Sequence, residues 1–124
     1  GSTYVEIDLT NQRLVFYMKG TPIVDTPIVS GNPNIDGCAT PEGCYALDAK
    51  ESPAVLTGED YETNVTYWMP FAGNVGIHDA TWRTEFGGNM YQWDGSHGCI
   101  NVPYDKAAAI YANIEVGMPV VVYE

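Results

Sequence analysis

Val5, Ile7 and Leu9 alternate with Glu6 and Asp8, the period of two expected of a half-buried strand. Thr10 to Arg13 reads as a turn, Leu14 to Met18 as a second apolar run, and Lys19-Gly20 as another turn, so the chain opens with a hairpin. Ile23 to Val29 follows as a third strand, which Pro22 and Pro27 confine to a sheet edge or interrupt. Gly31 to Gly43 is a loop of Gly, Pro, Asn and Asp, and Cys44 to Ala49 gives a strand with Tyr45 and Leu47 on one face. Ser52 to Asn64 has no periodicity and reads as a flexible or lid-like connection. Val65 to Phe71 is dense in aromatic residues, as in a core strand or a cleft wall. Asn74 to His78 is a short strand, and residues 79 to 95 form a long connection. Pro103 opens the only helix the pattern supports, with Ala107, Ile110, Tyr111 and Ile114 on one apolar face. Gly117 ends that helix, and Val120 to Tyr123 is a final buried strand. Many short strands and one helix predict a mainly-β domain, a sandwich or barrel.

Composition adds limits. The 124 residues suffice for one domain with a hydrophobic core, and 45% apolar with 17% charged residues is ordinary for a globular chain. No apolar run approaches the ~20 residues of a membrane span, and no segment reads as a signal peptide. Gly1-Ser2 looks like a cloning remnant, so the domain is expected to occupy residues 3–124 with native sequence upstream. The net charge of −11, sixteen acidic against five basic residues, argues against nucleic acid and against anionic lipid. It suits an amine-bearing substrate, or simply serves solubility.

Three cysteines leave one odd thiol. Cys38 and Cys44 are six residues apart in the Gly/Pro/Thr-rich loop, a spacing that can close a small disulfide worth ~2 kcal/mol in the chain-entropy picture. Pairing is the expectation, with two free thiols as the alternative, and it would imply an oxidising, extracytoplasmic setting. Cys99 is then the thiol left over.

Cys99 stands in the run Ser96-His97-Gly98-Cys99-Ile100-Asn101, and His97 and His78 are the two histidines of the chain. A thiolate is the competent nucleophile and a nearby imidazole favours it. Gly98 permits a sharp turn that leaves amide N–H groups beside the sulfur, where they could hold an oxyanion. The bland alternative is a small buried thiol beside a structural histidine.

His78, a gap of 17 residues (79 to 95) and the Ser96–Asn101 run together resemble the signature of the YkuD-type L,D-transpeptidases, as found in Gram-positive bacteria. Thr40-Pro41-Glu42-Gly43 is similar to the T-P-x-G segment of that family. Tyr67-Trp68-Met69-Pro70 and His78-Asp79-x-x-Trp82 resemble its cleft and histidine segments. The likeness covers nearly all of residues 3 to 124, and the Cys38/Cys44 pair departs from it. It implies a YkuD-like β-sandwich or barrel with a short helix after the cysteine, no cofactor, and no metal. It also implies a reaction on peptidoglycan stem peptides. Cys99 would form a thioester with the third residue of a tetrapeptide, and a second stem's amine would resolve it into a 3→3 cross-link. Water in place of the amine would give L,D-carboxypeptidase activity, and carbapenem inhibitors would acylate the same sulfur. His78 would be the base, oriented by the main-chain carbonyl of Asp79, and the Gly98 and Cys99 N–H groups the oxyanion donors. His97 would shape the turn or polarise the site, and Ser96 and Asn101 would fix the loop beside the substrate. Tyr67, Trp68 and Trp82 would line the cleft or belong to the core. The expected setting is the cell wall or surface, with any membrane anchor upstream of this chain.

Three rival readings are set beside it. A sortase, another cysteine transpeptidase, expects a threonine next to the cysteine and an arginine in the site, whereas here His-Gly precedes the cysteine and Arg13 and Arg83 are the only arginines. A non-catalytic wall-binding module would make Cys99 dispensable. A zinc site of His78, His97 and Cys99 is the third.

Overall fold

A computed structural model describes residues 3–57, 62–96 and 98–124. His97, one of the expected site residues, lies outside the described residues.

Among the described residues ten short strands form three sheets. β1 (Tyr4–Asp8) pairs antiparallel with β2 (Arg13–Met18) and parallel with β10 (Pro119–Tyr123). β3 (Thr21–Pro27) and β4 (Gly43–Ala46) complete a five-stranded sheet in the order β3-β2-β1-β10-β4. Both prolines of β3 therefore sit on an edge, where a missing N–H breaks no ladder. β1 shows why the alternation matters: Val5 and Ile7 are fully buried and Leu9 nearly so. On its other face Tyr4 stacks on Tyr17 with ring centroids 5.1 Å apart, and Glu6 accepts a 2.7 Å hydrogen bond from the Tyr123 hydroxyl.

The second sheet carries the chemistry. β7 (Trp68–Ala72) pairs antiparallel with β8 (Val75–Asp79), and β8 pairs parallel with β9 (Ile100–Val102). The two sheets and α2 (Tyr104–Asn113) enclose one core. From the sheets come Phe16, Leu14, Met69, Ile77 and Ile100, and from the helix Ala107 and Ile110. Pro103 precedes the helix, where it costs no intrahelical hydrogen bond. Ile114, the last residue of the expected apolar face, lies just past the helix end and is 1% exposed.

The structure revises three expectations. The connection from Ser52 to Asn64 contains a hairpin, β5 (Ala54–Thr57) against β6 (Glu62–Val65), with residues 58–61 outside the described set. Burial alternates along both short strands, but the outward Val55 is apolar and the inward Thr63 polar, so hydrophobicity does not mark that period in the sequence. The long connection after β8 holds a single helical turn, α1 (Tyr91–Asp94). Finally, the Cys38–Cys44 disulfide does not form; both are free thiols. Separate constraints hold the two residues. Cys44 is fixed in β4 opposite Val121, while the Cys38 N–H donates to the Ile35 carbonyl in a turn and the Cys38 carbonyl packs on Gly31.

Candidate active site

The turn that carries Cys99 is clamped by segments remote in sequence. Val29 and Asn101 exchange two backbone hydrogen bonds of 2.9 Å, and the Ser96 N–H donates to the Ser30 carbonyl at 3.0 Å. Ser30 is itself held by Gln12. The Gln12 side-chain oxygen accepts from the Ser30 N–H at 2.9 Å, and its amide donates to the Ser30 hydroxyl and the Leu9 carbonyl. From the other side Thr40 Oγ1 accepts from the Gly31 N–H at 2.9 Å and donates to the Gly98 carbonyl at 2.6 Å. Gly31 has no room for a side chain: a Cβ there would lie 1.7 Å from the Cys38 carbonyl oxygen and 2.8 Å from Gly98 Cα. Gly98 sits at φ +131°, outside the range L side chains favour.

Within this clamp Ser96 ties both limbs of the turn. Its hydroxyl donates to the Cys99 carbonyl and accepts from the Gly98 N–H at 3.1 Å. The Gly98 N–H is thus engaged in holding the turn rather than pointing at an oxyanion. The Cys99 thiol donates to the Asn74 carbonyl at 3.4 Å. Burial pushes its pKa above the ordinary 9.0, with the Gly76 backbone N–H acting against the shift. The resting sulfur is therefore a protonated thiol.

His78 is the penultimate residue of β8, buried like its strand neighbours, and pairs in register with Asn101 on β9. Its Nδ1 lies 2.7 Å from the Asp79 carbonyl oxygen. A carbonyl only accepts, so Nδ1 carries the proton and the other ring nitrogen, Nε2, is the one open to take a proton. Burial lowers the pKa of the ring below 6.5, opposed by the Asp79 carbonyl and carboxylate, while Arg83 adds to the lowering. A neutral imidazole and a neutral thiol coexist at physiological pH. The Asp79 side chain faces away and accepts from the backbone N–H groups of Thr66 and Tyr67 at 2.7 to 3.1 Å. It holds β8 to the segment before β7, and the part of Asp79 that touches the His78 ring is its main-chain carbonyl.

Cys99, His78, Ser96, Asn101 and Trp82 share the lining of one cavity of about 250 Å³. Leu56 and Thr63 of the β5–β6 hairpin form another part of its wall. Trp82 is half exposed with its ring 6.0 Å from that of His78. Trp68 is buried 6.0 Å from the same imidazole and supports it without lining the cavity. Tyr67 is not in the cavity wall either; it packs on Tyr104 and Tyr111 of α2 at 5.8 and 5.0 Å. Asn101 is 2% exposed, and its Oδ1 has no hydrogen-bond partner among the described residues. Sequence reasoning missed Arg83, Leu56, Thr63 and the bracket at Gln12. Of these only Arg83, next to Trp82 and one of two arginines, carried a signal that could have been weighed.

A half-buried thiol and an imidazole of fixed tautomer in one cavity suit acyl transfer through a covalent intermediate. Comparison with known proteins agrees with that chemistry. The profile of the L,D-transpeptidase catalytic domain, YkuD, matches residues 2–122. A crystal structure of a Cys-to-Ser mutant of Enterococcus faecium L,D-transpeptidase superposes with a TM-score of 0.92 at 40% identity, over 99% of this chain and 50% of that one. The catalytic domain of an E. faecium L,D-transpeptidase acylated by ertapenem gives 0.87 at 41% identity, over 98% of this chain and 97% of that one. An L,D-transpeptidase from Mycobacterium smegmatis shares the fold, with a TM-score of 0.82 at 24% identity, over 99% of this chain and 59% of that one. The chain thus spans about half the length of the longer E. faecium protein. No curated protein matches it in sequence.

Proposed function

The chain belongs to the YkuD family of L,D-transpeptidase catalytic domains, and from that premise we propose that it cross-links peptidoglycan stem peptides through a thioester on Cys99. The observation that carries this reading is the Asp79 carbonyl on His78 Nδ1, which leaves Nε2 as the base in the cavity that holds the thiol. The Cys99 proton passes to His78 Nε2 as the sulfur attacks the carbonyl of the third residue of a tetrapeptide donor. The C–S bond forms and the carbonyl electron pair moves to oxygen, beside the Cys99 N–H. When the oxyanion collapses, the C–N bond to the terminal D-Ala breaks, and its nitrogen takes the proton from His78. The side-chain amine of a second stem then attacks the thioester, giving a proton to His78. A C–N bond forms, C–S breaks, and the thiolate is reprotonated. Water in the amine's place gives L,D-carboxypeptidase activity. Trp93, Glu85 and Asp94 surround a hollow that adjoins the cavity at Trp82 and Arg83 and has the charge to receive the acceptor's ammonium. A β-lactam of the carbapenem class would acylate Cys99 by the same attack. The substrate puts the domain outside the cytoplasm, at the cell wall.

Incubation with a synthetic tetrapeptide stem tests the proposal. Mass spectrometry should find free D-Ala and a dimer lighter than two donors by one D-Ala, joined through the diamino acid. Neither product with folded protein would sink the proposal, and free D-Ala without dimer would reduce it to hydrolysis.

The pKa shifts fix the pH dependence. Protonating His78 removes the base, so kcat/KM should fall as pH drops through the folded pKa, which lies below 6.5. Cys99 titrates above 9.0, so the rate should stay level from neutral pH to beyond that value. Stability shares the acid limb. The unfolded ring binds its proton near 6.5 and the buried one only lower, so stability declines as pH falls below 6.5. A rate profile centred on thiol ionisation would instead assign the attack to a preformed thiolate.

A further inference from the structure

Arg83 is the one guanidinium that reaches the catalytic cavity, and the described residues compensate its charge poorly. Its side chain is 9% exposed, and its Nε is buried with no hydrogen-bond partner among the described residues. Nη1 reaches Met90 Sδ at 3.7 Å and Asp94 Oδ2 at 3.5 Å, and Asp94 is 62% exposed. A buried guanidinium ordinarily has a close, two-pronged carboxylate partner, because desolvating the charge is costly without one. Among the described residues no such partner is present, and Arg83 lines the same cavity as Cys99 and His78. No Lys or other Arg lines that cavity among the described residues. The sequence has five basic residues against sixteen acidic ones, so a cation at this place is not a by-product of composition.

We propose that Arg83 binds the terminal carboxylate of the donor stem, the carboxylate of the residue that leaves when Cys99 is acylated. The inference rests on the proposed function and adds a specificity determinant to it. Only an amide nitrogen and one carbon separate that carboxylate from the carbonyl under attack, so both fit one cavity of about 250 Å³. A side-chain carboxylate on the third residue is carried several carbons farther away. The fork of Arg83 offers the planar pair of donors that a carboxylate accepts, and pairing gives the orphan Nε a partner. The contact also reaches the base. Arg83 opposes protonation of His78; a bound carboxylate offsets that charge, so His78 becomes the better proton acceptor once the donor is seated.

The test uses three tetrapeptide donors: one ending in a free carboxylate, one ending in a carboxamide, and one with a free carboxylate but lysine as third residue, which lacks a side-chain carboxylate. Acylation of Cys99 is followed by intact mass. Wild-type protein should favour the free acid over the carboxamide by about 10- to 100-fold in kcat/KM, the worth of a charge-assisted pair. The lysine donor should keep the advantage. In Arg83→Gln the ratio should collapse towards one, mainly through KM for the acid donor, and Arg83→Lys should retain part of it. Equal rates for acid and carboxamide in the wild type, or an undiminished ratio in folded Arg83→Gln, overturn the assignment and leave the proposed function standing. Loss of the preference only with the lysine donor transfers the contact to the third residue's side chain and also overturns it. Should Arg83→Gln not fold, the wild-type donor pair and Arg83→Lys decide. A wild-type protein acylated by none of the donors removes the proposed function and this assignment together.

Discussion

Cys99→Ala is expected to abolish covalent capture of a carbapenem. Intact mass should show one adduct per chain on the wild-type protein and none on the variant. The effect is all-or-none because no second thiol can substitute. Cys38 and Cys44 are free, but neither lines the cavity that contains His78. Removing a sulfur from a half-buried turn leaves its clamp intact, since Ser96, Thr40 and Val29 grip backbone atoms of residues 96–101. The variant should therefore fold with little loss of stability. An adduct that survives in Cys99→Ala would refute the nucleophile, and a wild-type protein that gains no mass would favour a non-catalytic wall-binding module.

His78→Ala should slow acylation by roughly 10²- to 10⁴-fold, the usual contribution of a positioned base. The expectation is this large because burial disfavours the free thiolate. Burial raises the Cys99 pKa, so at neutral pH the sulfur depends on a proton acceptor at the moment of attack. Substitution also leaves the Asp79 carbonyl without its donor, a penalty of about 1–3 kcal/mol if water cannot enter. The ring is a minor part of the core, which rests on Ile77, Met69 and Ile100 around it, so the domain should remain folded. Stopped-flow acylation beside near-ultraviolet circular dichroism separates the two effects. The acid limb of the rate profile should disappear with the ring, and unchanged acylation in a folded variant would refute the role of His78.

How much was legible in the sequence depended on whether a feature leaves a burial period. β1, β2, β8, β10 and α2 bury regular faces and were readable from Val5, Ile7, Leu14, Ile77, Val120 and Ile110. The β5–β6 hairpin was not, because its outward position holds an apolar Val55 and its inward one a polar Thr63, which hides the alternation of burial. Gln12 was read as a turn residue. Nothing local distinguishes a turn glutamine in water from one that is 1% exposed and brackets Ser30 eighteen residues away. The cysteine pair misled for a related reason: sequence proximity permits a bridge, but β4 and the Ile35–Cys38 turn decide where the two sulfurs go. At the site itself, motif and spacing were enough to look for Cys99 and His78 together, and both line one cavity. The engagement of the Gly98 N–H by Ser96, and the retreat of Tyr67 and Trp68 from the cavity wall, required the packing to be known.

The parallel pairing of β1 with β10 at the middle of the five-stranded sheet has a mechanical consequence. The two strands run the same way, with Val5 beside Val120 and Asp8 beside Tyr123, so their outward-leading ends emerge from opposite ends of the sheet. Tension applied across Tyr4 and Tyr123 would slide one strand along the other and load their hydrogen bonds all at once. Peeling them one by one would need a pull across the strands. A force carried through the domain from Tyr4 to Tyr123 would therefore meet the sheet along its most resistant direction.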